Sequence, residues 1–378
     1  MFEMAFAIAG CSYIAARLFA PDSDRYKIKK AFRNLKYRVK DYDPSLIRTI
    51  KKDDYQEYVY NVPYGLIDDS KLQPVLEKTL DRPVHVYFDG KLHVRVYKSS
   101  IPKRIAYNWQ QSDGWTFPIG VGLSGMVTHD FDKVPHMTVA GATRQGKTVL
   151  LKLILAHLIS NHPDDAEIYI VDMKGGLEFG PYERMKQIKR VASSVDEAGE
   201  LFEHILAEMR QRMKMFREKE YTNILDTDLK RRTFIIVDEG AELTPSAFHT
   251  KDEKKVYQYC QQALSEITRI AGAMGYRNIF CTQYPTADTL PRQVKQNSDA
   301  KISFRLPTEV ASRVAIDESG AEQISNVGRA IYRTHERQEI QVPYVSDEEI
   351  KEKLGRYMED VTGREEKVTR RKDIVHFG

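Results

Sequence analysis

The sequence predicts an α/β protein with a mostly parallel sheet, preceded by a small α+β domain. Between residues 116 and 345, short apolar runs rich in β-branched side chains alternate with longer segments whose apolar residues have helical spacing. Such alternation is typical of a parallel sheet with helices on both faces. Before residue 110, two shorter β-rich runs flank Asp89-Gly90, a dipeptide that strongly favours a β-hairpin.

Composition limits the class of protein. The 378 residues suggest two to three domains, and an apolar fraction of 42% is sufficient for a hydrophobic core. The net charge of +4 is mildly basic and does not by itself establish binding to nucleic acid. Three widely spaced cysteines without a CxxC pair argue against a disulfide framework or a zinc site and favour a reducing compartment. No metal-binding spacing of histidines and no Ser/His/Asp or Cys/His nucleophile set is evident.

The N-terminal segment of residues 1–22 has two interpretations. Residues 4–20 are apolar except for Arg17 and lie at the short limit for a membrane span. The basic stretch that follows would face the cytoplasm if the segment were a membrane anchor or an interfacial helix. The alternative is an ordinary helix that is buried against the rest of the protein. We therefore expect a cytoplasmic protein, attached to the cell membrane if the segment is an anchor.

Four further parts follow along the chain. Residues 23–53 are basic, and their apolar spacing predicts a helix over 25–50 whose charged face is either solvated or in contact with phosphates of DNA or lipid. Residues 54–110 form the small α+β domain, which we interpret as an interaction or assembly domain. Residues 111–345 form the larger α/β domain. Residues 346–378 are predicted to be a charged tail, either solvated or acting as an arm that binds DNA or a partner.

The same patterns predict the elements of the two domains. In the small domain we expect strands at 55–62, 83–88 and 91–97 and a helix at 69–80. In the larger domain we expect buried strands at 136–140, 167–171, 233–237 and 278–282, and helices at 147–160, 195–219 and 256–271. Ligands bind at the carboxyl ends of the strands in such sheets, so residues that follow a strand are candidates for a site.

Residues 141–148 read GATRQGKT and match the phosphate-binding pattern GxxxxGK[ST] at every fixed position. An apolar strand precedes the motif and an apolar helix follows it, which is the context that the motif requires. Its glycines let backbone N–H groups face phosphate oxygens, and the N-terminus of the helix points at the same anion. We expect Lys147 to neutralise the β- and γ-phosphates of ATP and the Thr148 hydroxyl to bind Mg²⁺. The predicted ATP-binding residues are Gly141, Ala142, Thr143, Arg144, Gln145, Gly146, Lys147 and Thr148.

A second motif, TFIIVDE at residues 233–239, consists of a buried strand that ends in two carboxylates. In a parallel sheet Asp238 would lie beside the phosphate-binding loop, where it can hold the water shell of Mg²⁺. Glu239 would polarise the water that attacks ATP. The alternative is a strand that merely ends in an acidic turn.

Two more strand ends are candidates for the same site. One strand ends at Asp172 and continues into Lys174-Gly175-Gly176, a polar and glycine-rich loop. Another ends at Thr282-Gln283, where the glutamine can sense the γ-phosphate or the attacking water. An ordinary surface loop is the alternative interpretation for each.

Taken together, these motifs resemble the FtsK/SpoIIIE family of DNA-translocating ATPases, a group that includes the coupling ATPases of conjugative plasmids and integrative elements. The resemblance covers roughly residues 116–335. Beyond the two motifs above, the ordered blocks that carry it are 118–120, 135–143, 172–179 (resembling D-P-K-G-x-E-L/F), 208–212 (E-M-x-x-R), 282–285 (T-Q-R-P) and 312–323 (S-R…G-G-A-E-Q).

The resemblance implies a RecA-like motor domain that assembles into a ring, usually a hexamer, threaded by double-stranded DNA. ATP would lie between subunits, and an arginine from the neighbouring subunit would reach the γ-phosphate. This chain departs from the family in three places. Arg144 stands where the family usually has glycine, and Gly272 stands where it has the trans-acting arginine, so that Arg269 or Arg313 supplies this group or it is missing. The sequence also ends too soon after the motor pattern for the winged-helix domain of the chromosomal translocases.

The leading hypothesis is an ATP-driven translocase of double-stranded DNA that acts in the transfer of a mobile element, with a relaxase or transfer-channel proteins as partners. Glu239, Lys147, Gln283 and Arg269 would be its catalytic residues. DNA contact would be mainly to phosphates. The predicted DNA-contacting residues are Lys174, Lys186, Lys189, Lys219 and Asn223. A protein-secretion motor and a non-hydrolysing, ATP-gated scaffold are the alternatives.

Overall fold

A computed structural model describes residues 23–66 and 71–358 of the chain. These residues form two compact units. The first contains the described residues up to Ile101 together with Leu123–Gly125, and the second contains the remaining residues. The segment 4–20, for which a membrane anchor was one interpretation, lies outside the described residues. Within 23–66 and 71–358, no helix combines the length and the apolar character needed to cross a membrane.

The first unit is a four-stranded antiparallel sheet with two helices on one face. Its elements are α1 (Asp24–Asn34), β1 (Ser45–Lys51), β2 (Tyr55–Asn61), α2 (Leu72–Leu80), β3 (Val84–Phe88) and β4 (Leu92–Tyr97). The strand order is β1-β2-β4-β3, and each neighbouring pair is antiparallel. Apolar residues of both helices pack on alternate residues of the strands, among them Phe32 and Leu76 against Tyr58 and Val94. The hairpin at Asp89-Gly90 joins β3 to β4 as the sequence predicted.

The helix predicted over residues 25–50 is wrong beyond its first third. α1 ends at Asn34, and Ser45–Lys51 is a strand that pairs with β2. Lys36 and Lys40 adopt φ values of +54° and +52°, which an α-helix does not allow. The basic stretch therefore belongs to the same compact unit as the small sheet.

The second unit is built on a ten-stranded sheet whose order is β6-β5-β14-β13-β12-β7-β11-β10-β8-β9. Its strands are β5 (Thr116–Gly122), β6 (Gly125–Asp130), β7 (Met137–Ala140), β8 (Ala166–Val171), β9 (Ile188–Ala192), β10 (Arg232–Val237), β11 (Tyr276–Thr282), β12 (Ala300–Phe304), β13 (Arg329–Arg333) and β14 (Arg337–Gln341). From β9 to β12 every neighbouring pair is parallel. Strands β13, β14 and β5 extend the sheet in antiparallel fashion. The α/β class with a mostly parallel sheet is thus confirmed.

Helices cover both faces of this sheet. They are α3 (Lys147–Asn161), α4 (Val195–Glu218), α5 (Lys251–Ile270), α6 (Arg292–Asn297), α7 (Glu309–Ile316) and α8 (Asp347–Leu354). On one face α3 shares a core with Ile170 and Ile236. On the other face α4 and α5 share a core with Val171 and Val237, the next residues of the same strands. Because alternate side chains point to opposite faces, both of which are buried, these strands read as continuous apolar runs.

The charged tail predicted from residue 346 is wrong for its first part. Residues Asp347–Leu354 form α8, and Ile350 and Leu354 are buried in the core that contains α3. Lys152 of α3 pairs with Asp347 at 3.0 Å. The two buried residues of α8, Ile350 and Leu354, lie four positions apart and therefore share one face of the helix. This face packs on the core of the second unit, while most of the charged residues of α8 face solvent. The rest of the predicted tail, residues 359–378, lies outside the described residues.

Candidate functional site

The loop of residues 141–146 connects β7 to α3 at the carboxyl edge of the parallel strands. Gly141 and Gly146 both pack closely against Phe304, since a Cβ atom at these positions would lie 2.7 Å and 3.1 Å from that side chain. α3 begins at Lys147 without a side-chain cap. The first N–H groups of a helix have no partner within the helix, so these are left to bind an anion. The local geometry is that of a phosphate cradle.

Arg144, the residue that departs from the family pattern, has a φ of +64°. This left-handed conformation is unfavourable for residues with a Cβ atom and is adopted freely by glycine. The structure thus gives a reason for the family's preference for glycine at this position. The Arg144 side chain is exposed and lines the cleft beside the loop.

Lys147 and Glu239 form a buried ion pair beneath the loop. The Lys147 Nζ lies 3.1 Å from Glu239 Oε2 and 3.3 Å from the carbonyl oxygen of Asp238. The other oxygen of Glu239 accepts a hydrogen bond from the backbone N–H of Gln283 at 3.0 Å. Thr143 donates from its hydroxyl to Gln283 Oε1, also at 3.0 Å. The structure therefore brings together three of the four predicted catalytic residues, Lys147, Glu239 and Gln283, from three separate segments.

Asp172 and Lys174 extend this constellation. Asp172 is fully buried, and its Oδ2 accepts hydrogen bonds from the backbone N–H groups of Glu178 and Phe179, both at 3.0 Å. Lys174 places its Nζ 2.9 Å from Oδ2 of the fully buried Asp238. Although burial opposes the charge, the Asp238 carboxylate raises the pKa of Lys174 above its usual value. Lys174 therefore faces Asp238 as a cation.

The residues at this edge fit a Mg²⁺ ion. Asp238 Oδ1 and Thr282 Oγ1 are buried, and neither has a hydrogen-bond partner among the described residues. Buried polar oxygens are rarely left unpaired in a native protein, and Mg²⁺ with its water shell binds carboxylate and hydroxyl oxygens. Thr148, in the first turn of α3, also lines the cleft. Asp238 and Thr148 stay the predicted metal residues.

The cleft beside the loop has a volume of about 920 Å³. Two segments that the sequence analysis missed, residues 103–105 and 341–344, also line it. They are joined by a hydrogen bond from the Tyr344 N–H to the Ile105 carbonyl oxygen at 2.7 Å. The Arg104 guanidinium lies 4.7 Å from the centre of the Tyr344 ring. The Tyr344 ring and the apolar side chains of Ile105 and Val342 offer a surface that suits a nucleotide base. No recognisable motif marks these segments, so only their proximity in the fold identifies them.

The predicted DNA-contacting residues do not lie together. Lys174 lies in the nucleotide cleft and is paired with Asp238 rather than free on an outer loop. It follows directly on β8, and residues after a parallel strand lie at the ligand edge. The other four, Lys186, Lys189, Lys219 and Asn223, lie at or near the amino ends of the strands, on the opposite edge. There Lys186 pairs with Asp164 at 2.9 Å, and Asn223 caps a short helical turn.

The candidates for a trans-acting arginine lie away from this chain's own cleft. Gly272 is closely packed, because a Cβ atom there would lie 3.0 Å from the Pro135 side chain and 3.1 Å from that of His136, so a larger residue would require these side chains to shift. Arg269 lies in the last turn of α5, at the amino edge of the sheet, and lines an exposed polar hollow. Arg313 is exposed and pairs with Glu309 at 2.6 Å.

Comparison with known proteins places these residues in a family context. A model described as the FtsK/SpoIIIE family matches residues 105–331. The protein described as DNA translocase FtsK of Chlorobaculum tepidum is 26% identical over 263 residues, which cover 64% of this chain and 32% of that protein. The one of Clostridium tetani is 28% identical over 263 residues, covering 66% and 34%. This chain thus spans about a third of the length of these relatives.

Two solved structures have a similar fold. The pCW3 conjugation coupling protein TcpA, in its monomer form with ATPγS, has a TM-score of 0.65 and 23% identity, with 88% of this chain and 99% of that chain covered. The cytoplasmic domain of the type VII secretion ATPase EccC of Thermomonospora curvata has a TM-score of 0.54 and 21% identity, with 64% and 30% covered. At these identities the similarity establishes the fold, and it confirms the predicted P-loop ATPase architecture.

Proposed function

The chain belongs to the FtsK/SpoIIIE family, and we propose that its P-loop ATPase unit hydrolyses ATP to move double-stranded DNA. The observation that carries this proposal is the contact of Lys147 with Glu239 and of Glu239 with Gln283, directly under the phosphate cradle. A scaffold that only bound ATP would not need a carboxylate at the place where water attacks the γ-phosphate.

The chemistry follows from the charges of these residues. The ammonium of Lys147 is held by Glu239. The phosphates of ATP attract this ammonium, and Glu239 is then free to accept a proton from the attacking water. Gln283, which is tied to Thr143 of the loop, is placed to orient that water or to sense the γ-phosphate. Bound Mg²⁺ would neutralise the charge that develops on the phosphate oxygens.

Three further features belong to the proposal. The motor assembles as a ring, with a hexamer as the expected form, and Arg269 reaches the ATP of the neighbouring subunit from the exposed end of α5. The cargo is the DNA of a mobile element. The motor is attached to the membrane and acts together with a relaxase or transfer-channel proteins. Support for the cargo comes from the coupling protein TcpA, whose fold matches 88% of this chain, more than the stretch matched by the family model.

The test is steady-state ATP hydrolysis by the purified protein with and without linear double-stranded DNA. We expect strong stimulation by DNA, and a loss of turnover of about 10²- to 10⁴-fold in Glu239→Gln, which removes the base. Lys147→Ala should lose both turnover and ATP affinity. Lys133→Ala, which removes an exposed lysine that pairs with Asp130 at 3.4 Å, is the matched control and should behave as wild type. Turnover that Glu239→Gln leaves intact would contradict the proposal.

A protein-secretion motor is the second candidate, supported by the fold similarity to the secretion ATPase EccC. The two functions separate in the same assay. Turnover that is indifferent to DNA over a range of salt concentrations would favour a protein cargo. DNA stimulation that falls as salt rises would favour the DNA motor, because contacts to phosphates release counterions. ATP binding with no turnover under any condition would favour the scaffold.

A further inference from the structure

Lys174 is a second lysine in the nucleotide cleft, outside the phosphate-binding motif. Its ammonium lies 2.9 Å from Oδ2 of Asp238, a side chain with no exposed surface, while a third of the Lys174 side chain is exposed. The second oxygen of Asp238 has no hydrogen-bond partner among the described residues. One oxygen of the carboxylate is thus held by Lys174, and the other is left available to a metal ion.

A buried carboxylate without a counter-charge is strongly unfavourable. In this cleft Lys147 is directed to Glu239 and to the carbonyl oxygen of Asp238, and Lys174 is the cation that contacts the Asp238 carboxylate. A divalent ion at Asp238 would supply a larger counter-charge and would repel the ammonium. Lys174 and a metal ion therefore compete for the same carboxylate.

The loop that carries Lys174 is anchored at both ends and contains two glycines between the anchors. Asp172 accepts hydrogen bonds from the N–H of Lys174 at 3.3 Å and from those of Glu178 and Phe179 at 3.0 Å, so both ends of the loop are anchored. Between these ends Gly175 and Gly176 adopt φ values of +74° and +71°. Glycine crosses this backbone region with little strain, and a lysine can move its ammonium on a flexible four-carbon chain.

We propose that Lys174 is an exchangeable counter-ion, which holds Asp238 while the cleft is empty and moves to the ATP phosphates when Mg²⁺ enters with the nucleotide. The inference rests on the proposed use of this cleft for ATP and Mg²⁺. It has one consequence. Lys174 discourages a metal ion from binding at Asp238 ahead of the nucleotide.

The experiment measures binding of Mn²⁺, a paramagnetic substitute for Mg²⁺, to the full chain in the absence of nucleotide, by the electron paramagnetic resonance signal of the free ion. Lys174→Met removes the competing charge and should lower the Kd for Mn²⁺ by about tenfold or more. Lys174→Arg keeps a cation and should leave the Kd close to that of wild type. Lys186→Met removes a lysine from an exposed pair with Asp164 at the same distance of 2.9 Å, and should also leave the Kd unchanged.

Thermal unfolding of the same proteins gives a second readout. Lys174→Met leaves Asp238 buried without its counter-charge, so it should melt at a lower temperature than wild type and regain more stability on addition of Mn²⁺. Lys174→Gln, which keeps a hydrogen-bond donor without charge, serves if the methionine variant does not fold. A Kd for Mn²⁺ that stays within twofold of wild type in both neutral variants would overturn the proposal.

The result does not depend on DNA or on turnover. Tight Mn²⁺ binding by Lys174→Met together with ATP hydrolysis that ignores DNA would leave the counter-ion role in place and reject the DNA motor. DNA-stimulated hydrolysis together with unchanged Mn²⁺ binding would reject the counter-ion role alone.

Discussion

The two edges of the large sheet both contain buried charge, but they hold it differently. At the amino edge Asp132 binds the guanidinium groups of Arg232 and Arg277 at 2.8 Å and 2.7 Å, and these arginines are the first residue of β10 and the second residue of β11. At the carboxyl edge the cations are lysines, one in the phosphate-binding loop and one in a glycine-rich loop, each facing a carboxylate. A rigid, many-donor guanidinium suits a fixed contact, whereas a single ammonium on a flexible chain can change partners.

This contrast suggests that the charged contacts at the amino edge hold the fold, and that those at the carboxyl edge take part in ligand binding. The arginine cluster joins the loop before β7 to the first residues of β10 and β11, and so fixes the strands whose other ends carry the predicted catalytic groups. In the proposed mechanism the lysine pairs open when ATP binds. Substitutions at the amino edge should therefore lower stability, and substitutions at the carboxyl edge should change ligand binding with smaller effects on stability.

The largest effect on stability is expected for Asp132→Asn. It leaves two buried guanidinium groups without their counter-charge, which should lower the free energy of unfolding by about 3–5 kcal/mol. Urea unfolding followed by tryptophan fluorescence measures this, because both tryptophans, Trp109 and Trp115, lie in the larger unit. Asp164→Asn, in an exposed pair with Lys186, should change stability by about 0.5 kcal/mol or less. Equal effects of the two substitutions would remove the contrast.

The second largest effect on stability is expected from lowering the pH, which should act through two buried histidines. Burial, reinforced by nearby Arg277, lowers the pKa of His136 to about 3, and burial lowers the pKa of His129 to about 4. The usual value is about 6.5, so the unfolded chain takes up protons first, and stability present above pH 6.5 is lost as pH falls toward the folded values. Between pH 7.5 and 5.5 we expect the two histidines to remove about 2–3 kcal/mol from the free energy of unfolding.

The same urea titration at both pH values tests this expectation. His136 accepts a hydrogen bond from the N–H of Asn278 at its Nδ1, so a second proton on the ring would break that contact. A His136→Gln variant should therefore lose about half of the pH dependence. A pH dependence that is the same in this variant and in wild type would contradict the assignment.

Tyr344→Ala tests the part of the cleft at the carboxyl edge that Tyr344 lines. Losing the ring should weaken ATP binding by about tenfold, the effect of one stacking contact of about 1–1.5 kcal/mol, while Tyr344→Phe should bind as wild type. Stability should change little, because the side chain is half exposed. Fluorescent ATP analogues measure the affinity. An unchanged affinity would place the base elsewhere in the cleft.

The smallest effect is expected at Arg144. Arg144→Gly relieves a left-handed backbone strain and should raise the free energy of unfolding by up to about 1 kcal/mol. Loss of the exposed charge beside the phosphates should weaken ATP binding in the same variant. Arg144→Ala keeps the strain and removes the charge, so it separates the two effects. Equal stability of the glycine and alanine variants would contradict the role of strain.

Sequence reasoning identified the P-loop ATPase unit well, because buried parallel strands and a phosphate-binding loop leave local patterns. The strand ends at Asp172, Asp238 and Thr282 converge as expected, since register in a parallel sheet aligns their carboxyl ends. The partners of the charges could not be read from the sequence. That Lys174 faces Asp238, and that Tyr344 stacks with Arg104, depends on contacts between segments distant in the chain.

The errors have the same origin. A basic stretch with helical spacing, residues 25–50, was assigned one helix, although its last six residues pair as a strand with β2, and only that pairing selects the strand. Because most residues around Ile350 and Leu354 are charged, the sequence analysis assigned this segment to a tail. These two residues are buried because they pack against α3. In both regions a weak local preference was overridden by tertiary packing.

The most direct test of the central claim is displacement of a triplex-forming oligonucleotide from linear double-stranded DNA. A motor that tracks along the duplex strips the third strand in an ATP-dependent way. We predict displacement by the wild-type chain, none by Glu239→Gln despite retained ATP binding, and none with a non-hydrolysable ATP analogue. Hydrolysis that DNA stimulates without any displacement of the third strand would contradict the claim that the chain moves DNA.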